Sequence, residues 1–234
     1  MKVTLDHIEE IASNIKTYWF KSERPVRYTP GQYIQLTLPH DNTDNRANKR
    51  WFTLTSSPTE DLISITTRFS QSHESSFKHA LKQLQPGDEV LMSEPMGDFV
   101  LPKDPKIEIV FVAGGIGITP YRSMVQWLHD RGEQRKIQLI YGVRSAEDIA
   151  FRDVFERYDL QLNTVFREPA ADRANELELL SAQKVISLID QPARKRIYLA
   201  GPEIMVERLF DELPAIGINK SQLVTDYFSG YEQI

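Results

Sequence analysis

With 234 residues, the chain has room for one large domain or for two of about 100 to 130 residues, each able to bury a core. Hydrophobic residues make up 41% and charged residues 26%, the balance of an ordinary globular protein, and a net charge of −5 argues against general binding to a nucleic-acid backbone. The absence of cysteine excludes disulfides, thiolate zinc sites and cysteine-ligated iron–sulfur clusters. The first residues, MKVTLDHIEEIA, show no apolar h-region, and no apolar run approaches the length of a membrane span. A cytoplasmic location with no membrane partner is therefore expected by default. The histidines show no ligand-like spacing, so no metal site is expected.

The first hundred or so residues read as mostly β. Val3, Leu5 and Ile8 begin one strand-like segment, and residues 15–20 follow as another. A Pro30-Gly31 turn leads into residues 32–38, where Ile34, Leu36 and Leu38 alternate with polar residues as in a half-buried strand. Residues 40–49 are polar and turn-rich and read as a loop. Residues 50–55 and 62–69 form two further strands around a Ser56-Ser57-Pro58 turn. Phe77, Ala80, Leu81 and Leu84 have helical spacing, Pro86-Gly87-Asp88 stops that helix, and residues 89–92 are a last strand. About six short strands with one helix predict a small antiparallel β-barrel.

After about residue 103 the rhythm changes, and the segment 101–105, polar with two prolines, marks the boundary. The expected domains are 1–102, a barrel, and 103–234, an α/β unit. Ile107, Ile109 and Phe111 alternate with Val110 and Val112, a near-continuous apolar run of the kind buried on both faces. The run breaks at Gly114, Gly115 and Gly117, after which Thr119 is placed as an N-cap and Pro120 as the first helical residue. Tyr121, Met124, Val125 and Leu128 then form a helical stripe through residues 120–130. Strands at 137–141, 161–166, 196–200 and 223–228 alternate with helices near 151–158, 177–189 and 205–217. That alternation predicts a Rossmann-like parallel sheet with helices on both faces.

In such sheets ligands bind beyond the carboxyl ends of the strands. Four places matter: residues 114–119, residues 142–145, Phe166-Arg167 and residues 200–203. The glycine turn keeps part of a dinucleotide fingerprint, with Pro120 in place of its last glycine. Where a diol-binding acid is usual, the second strand ends in Gly142, then Arg144 and Ser145. A guanidinium and a hydroxyl suit a 2′-phosphate, and Arg167 supplies a second clamp, so NADPH is favoured. Glu147 and Asp148 keep NADH open.

The whole chain resembles the ferredoxin–NADP⁺ reductase family of flavoproteins. Arg50-Trp51-Phe52-Thr53 match its FAD motif of Arg, any residue, Tyr, then Ser or Thr. Glu74-Ser75-Ser76-Phe77-Lys78, Pro86-Gly87-Asp88, the turn 114–120 and Ala200-Gly201-Pro202 follow in the family's order. The resemblance implies an FAD-binding barrel joined to a nucleotide domain. Its reaction would be hydride transfer from NADPH, or NADH, to flavin N5 and then single-electron delivery to a carrier protein such as ferredoxin or flavodoxin. Arg50 would hold the pyrophosphate, Phe52 or Trp51 would lie against the ring, and Thr53 would serve N5 as the catalytic hydroxyl. Strand alternation puts Arg50 and Phe52 on one face and Trp51 and Thr53 on the other.

Further implied cofactor contacts are Thr66 and Thr67 at a neighbouring strand end, Ser75 and Ser76 at a helix start, Gly201 and Pro202, and an aromatic residue near the end, Phe228 or Tyr231. Phe52 stands for the usual Tyr, Ala200 for a Cys and Glu74 for a Gly. Three alternatives stay open: a reductase that uses flavin as a leaving substrate, an electron-transfer subunit of a larger complex, against which the lack of a C-terminal cysteine cluster counts, and a nucleotide-binding module without turnover.

Overall fold

A computed structural model describes residues 1–41, 43–44, 47–70, 74–158, 160–166 and 180–228, with the backbone alone of Phe228. Among these residues the strands divide into two sheets. The first holds β1 (Lys2–Ala12), β2 (Ile15–Ser22), β3 (Tyr33–Thr37), β4 (Lys49–Thr53), β5 (Ile63–Arg68) and β6 (Glu89–Met92), in the antiparallel order β4-β3-β6-β1-β2-β5. A bridge between Leu54 and Ile65 brings the two outer strands together and closes the barrel. The alternating inward residues Val3, Leu5, Tyr18, Phe20, Ile34, Leu36, Phe52 and Ile65 fill it. Helix α1 (Ser76–Gln83) plugs one end with Phe77 and Leu81, neither of which is exposed to solvent.

The second sheet is parallel: β7 (Ile109–Gly114), β8 (Ile137–Val143), β9 (Gln161–Phe166), β10 (Arg196–Pro202) and β11 (Leu223–Phe228), in the order β11-β10-β7-β8-β9. Every residue of β7 is buried. Strand alternation sends Ile109, Phe111 and Ala113 into one core and Val110 and Val112 into another. The first core takes α2 (Thr119–Asp130) and α3 (Arg152–Arg157), and the second takes α4 (Ala182–Ser187) and α5 (Glu203–Ala215). The three layers follow from a central strand with two apolar faces, each needing its own cover.

The division between the halves is less clean than a boundary near residue 102 suggests. Ile15, at the tip of the β1–β2 hairpin, and Phe99 both belong to the core under α2. The central strand starts at Ile109 rather than 107 and runs through Gly114. The helix expected over 177–189 is shorter, Ala182–Ser187, and residues 177–179 lie outside the described set.

The centre of the sheet is held by Tyr121 of α2. Its ring stacks on Phe111 at 4.2 Å, and its hydroxyl lies 3.1 Å from the Val112 carbonyl and 2.9 Å from the Tyr198 carbonyl, donating into the pair. A hydroxyl in that place ties the helix to β7 and β10 at once. Tyr121→Phe is expected to keep the stack and lose the hydroxyl bond, lowering unfolding free energy by about 1–2 kcal/mol in a urea titration.

Candidate active site

The carboxyl ends of β11, β10, β7 and β8 form a row in which Asp226 pairs with Ala200, Ala200 with Ala113 and Ala113 with Tyr141. Above the row the chain turns through one 3-10 turn, Gly115–Ile118, straight into α2. Gly115 has a positive φ of 50° and open space where a Cβ would stand. Gly117 is different. A Cβ there would meet the Ala200 carbonyl oxygen at 2.2 Å, so the turn rests directly on β10. Gly114 likewise leaves room for Met205 Sδ, 2.5 Å from its ideal Cβ. Gly114, Gly117, Gly201 and Pro202 therefore meet in one close-packed floor, with Gly115 facing open space.

Thr119 does not cap the helix. Ile118 precedes the first helical residue, the Thr119 amide donates to Ile116 O, and the Thr119 hydroxyl donates to the same carbonyl at 3.2 Å. The chain enters α2 directly from the 3-10 turn, which puts Ile118 rather than Thr119 at the capping position.

From the barrel, Thr53 closes onto this row. It is 3% exposed, and its hydroxyl donates to Asp226 Oδ2 at 3.5 Å, across a gap of 173 positions in sequence. Burial raises the Asp226 carboxyl from 3.8 to about 7, the Thr53 hydrogen bond opposes the rise, and the nearby Asp98 charge adds to it. Strand β5 lies against the glycine turn and carries Thr66 and Thr67. Both are buried, and the Thr66 hydroxyl bonds that of Thr17 at 2.9 Å; neither belongs to an exposed polar face.

The other expected cofactor contacts gather at the far end of β4. Arg50 sits 5.3 Å over the Phe77 ring and donates both Nη2 hydrogens to the Asp44 carboxylate, at 2.7 Å to each oxygen. Its Nη1 donates to the carbonyls of Ala47 and Lys49. Ser75 is the N-cap of α1, and the Ser76 hydroxyl bonds His40 and accepts from the Asp44 amide at 3.0 Å. Phe52 lies inside the barrel, 5.9 Å from Phe77. Trp51 points the other way, 53% exposed and edge-on to Tyr33, as strand alternation demands. Glu74 turns to Lys82 at 2.7 Å, which neutralises the charge it brings to the helix start.

Arg144 and Ser145 are exposed beyond β8. Arg167 and Tyr231 lie outside the described residues, and Phe228 contributes its backbone, paired with Pro202. Two further groups at this site were not anticipated. Asp226 reads as one polar residue in an aromatic tail; only its register opposite Ala200 gives it a place. Arg68, at the end of β5, is buried with Nε and Nη2 lacking hydrogen-bond acceptors, and Nη2 lies 3.4 Å from Asp148.

These residues fit a flat, anionic cofactor and a dinucleotide. Arg50 offers a guanidinium fork, Ser75 and Ser76 offer hydroxyls at a helix start, and Arg68 is a buried cation short of acceptors. Gly115 leaves the open space such a ligand needs. Because the Asp226 proton is held more tightly in the fold than in the unfolded chain, its contribution to stability is full below pH 3.8 and is lost as pH rises through about 7. Asp226→Asn is expected to remove that loss. Relative to the variant, the wild type should weaken by on the order of 2–3 kcal/mol between pH 5 and pH 8, measured by denaturant unfolding at each pH. Parallel stability curves for the two proteins would contradict this account of Asp226.

Residues 111–209 match the family model described as the oxidoreductase NAD-binding domain. Flavohemoprotein B of Dictyostelium discoideum is 29% identical over 249 aligned residues, covering 96% of this chain and 58% of that protein. The phenol 2-monooxygenase reductase component DmpP of Pseudomonas sp. strain CF600 is 31% identical over 170 residues, covering 71% of this chain and 46% of that protein. The chain thus spans about half the length of the curated relatives it matches. Among solved structures, ferredoxin-NADP⁺ reductase from Plasmodium falciparum superposes with a TM-score of 0.80 at 17% identity, over 97% of this chain and 95% of that one. The flavohem-like FAD/NAD binding domain of nitric oxide dioxygenase from Vibrio cholerae O1 biovar El Tor gives a TM-score of 0.79 at 18% identity, over 97% and 98%. Those two likenesses establish the fold, and with the family model and the sequence relatives they make the chain a member of the ferredoxin–NADP⁺ reductase-like family.

Proposed function

We propose that the chain is a reductase that takes reducing equivalents from NAD(P)H into FAD and passes them singly to a protein acceptor. One observation carries the reading: Thr53 of the barrel meets Asp226, beside Ala200 and the glycine turn, at the place where the two sheets join. A flavin held there by Arg50, Ser75, Ser76 and Thr53 would supply the redox chemistry, two-electron uptake from a nicotinamide and single-electron release. The protein supplies position and charge.

The barrel, residues 1–102, holds the flavin in this reading. Arg50 exchanges Asp44 for the pyrophosphate, Ser75 and Ser76 bind phosphate oxygens, Trp51 flanks the ring system from the outer face, and Phe52 supports the same strand from inside the barrel. Thr53 offers N5 a hydroxyl that can donate or accept, and the backbone of Thr66 and Thr67 lines the ring edge. The second domain, residues 103–234, holds the nucleotide. The turn Gly114–Gly117 with Thr119 seats its pyrophosphate and nicotinamide, Gly201 and Pro202 shape the nicotinamide pocket, and Phe228 covers the ring. Arg144, Ser145 and Arg167 favour the 2′-phosphate of NADPH over the NADH diol.

The names of the relatives, reductase components of oxygenases and flavohemoproteins, support a protein acceptor. A small carrier such as ferredoxin or flavodoxin is the acceptor we propose. An oxygenase or haem partner is the competing choice. A second reading, flavin as a leaving substrate, draws on the Arg50–Asp44 pair. A carboxylate already seated on the pyrophosphate cation competes with the cofactor. Flavin that stays with the protein through gel filtration speaks against it.

Stopped-flow mixing of the FAD-loaded protein with NADPH or NADH, read at the flavin absorption band, tests the main reading. Bleaching within one turnover is expected, and a flavin that neither nucleotide bleaches overturns it. Arg144→Ala is expected to raise the NADPH concentration for half-maximal reduction about tenfold and to leave NADH unchanged, the equivalent of about 1.4 kcal/mol. An unchanged NADPH-to-NADH ratio would sink the assignment of nucleotide preference.

A further inference from the structure

Helix α2 carries a polar stripe that its apolar stripe does not explain. Thr119, Arg122, Ser123, Gln126 and Asp130 share one side of the helix, and the first four are at most 9% exposed. The barrel loop 55–60, which begins two residues after Thr53, reaches three of them, Arg122, Ser123 and Asp130. Both Nη atoms of Arg122 engage the Glu60 carboxylate, Nη2 at 2.8 Å, and Nη1 also donates to the Thr55 carbonyl at 3.3 Å. The guanidinium lies 5.6 Å from the Trp19 ring and 5.8 Å from the Phe151 ring, one from each domain.

Ser123 donates to the Ser56 carbonyl at 2.5 Å, and Thr59 donates to Asp130. The loop itself is pinned to the barrel. Glu60 also accepts the Ser57 amide at 2.6 Å, and the Ser56 hydroxyl accepts the Ser64 amide at 2.8 Å and bonds Tyr28. A guanidinium held through both Nη atoms by a mostly buried carboxylate is restricted in its geometry.

Its place in the chain gives that geometry a consequence. Arg122 stands three residues after Thr119, where the glycine turn ends, and Thr55 stands two residues after Thr53. The pair therefore joins the end of the nucleotide turn to the loop that continues the flavin strand. We propose that Arg122 is a positioning residue. Through Glu60 and Thr55 it sets the distance between the nicotinamide seat and Thr53, and so the rate of hydride transfer rather than the affinity for either ligand. This rests on the reductase reading above.

Arg122→Lys keeps the charge but not the fork. Glu60→Gln keeps the shape but not the charge, and Arg122→Met removes both. FAD-loaded wild type and variants are mixed with saturating NADPH, giving a limiting flavin-reduction rate and a nucleotide dissociation constant. Backbone amide exchange is followed in the flavin-free proteins across residues 114–122 and 53–60.

The limiting rate is expected to fall about tenfold in Arg122→Lys and Glu60→Gln and about a hundredfold in Arg122→Met, the range that an ångström of misplacement produces. The dissociation constant should stay within about threefold, and exchange should quicken in both segments. If Arg122→Met does not fold, the two conservative variants decide. Variants that reduce flavin at the wild-type limiting rate, or that lose nucleotide affinity instead, overturn the positioning role and leave the reductase reading intact. A wild type that NADPH does not reduce overturns both.

Discussion

The site is built on a contact between two backbones. The α-carbon of Gly117 sits so near the Ala200 carbonyl that a side chain at residue 117 has nowhere to go. Gly114 and Gly201 repeat the condition against Met205 of α5. Because β7 and β10 are neighbours in register, the three glycines lie over one another at the carboxyl end of the sheet. Their shared effect is a turn that lies down on the sheet instead of standing away from it. The space over Gly115, where no neighbour lies within 4 Å of an ideal Cβ, is the complement of that close floor. Glycine is thus needed here for two separate reasons, packing at 114, 117 and 201 and backbone conformation at 115.

The same turn feeds α2 without a break, and α2 is enclosed by both domains. Tyr121, Met124, Val125 and Leu128 face the sheet, while Arg122, Ser123 and Gln126 face the barrel. A helix buried on two sides by different surfaces must satisfy its polar groups internally, since each unpaired one costs about 1–3 kcal/mol. The Glu60 carboxylate, the Thr55 and Ser56 carbonyls and Asp130 do this for most of α2, leaving the buried Arg122 Nε without a partner among the described residues. The hydrophobic contact across the junction is smaller. It comes from Ile15 at the hairpin tip and from Phe99, both packed into the core under α2. Directional polar bonds set the relative placement of the halves, and apolar contact seals them.

This division explains which features the sequence disclosed. Each apolar strand and helix was recoverable from its period, because residues such as Val110 and Phe111 face two cores and Leu36 faces one. The change from a barrel to an alternating sheet near residue 103 was visible for the same reason. The polar stripe of α2 was not. Arg122, Ser123 and Gln126 have the spacing of a solvated face, and only the arrival of a loop from another domain makes it an interior. Asp226 and Thr53 share no local pattern either; 173 positions separate them, and their contact depends on the register of β11 against β10. Arg50 was recognised from its motif, but its Asp44 partner comes from a polar loop in which nothing marks one carboxylate above another. Thr119 was misjudged as a cap because a 3-10 turn and an open loop look alike in a run of glycines.

The charges of the site are sorted by position. Arg50 lies at one end, with Arg144 beyond β8 and Arg68 beside Asp148 at the other, while Asp226 lies against Thr53, with Asp98 near enough to raise its pKa. Cations at the periphery suit the phosphates of two nucleotides, which carry their charge far from their rings. An acid held at about 7 beside Thr53 suits a place where further negative charge is costly, because near neutrality it is as often uncharged as charged. Had Asp226 been solvated it would be ionised under all such conditions. Burial is what prevents this, and Thr53 of the barrel is part of what lies against the carboxyl. The protonation of that group is therefore a property of the assembled pair of domains, and neither half could set it alone.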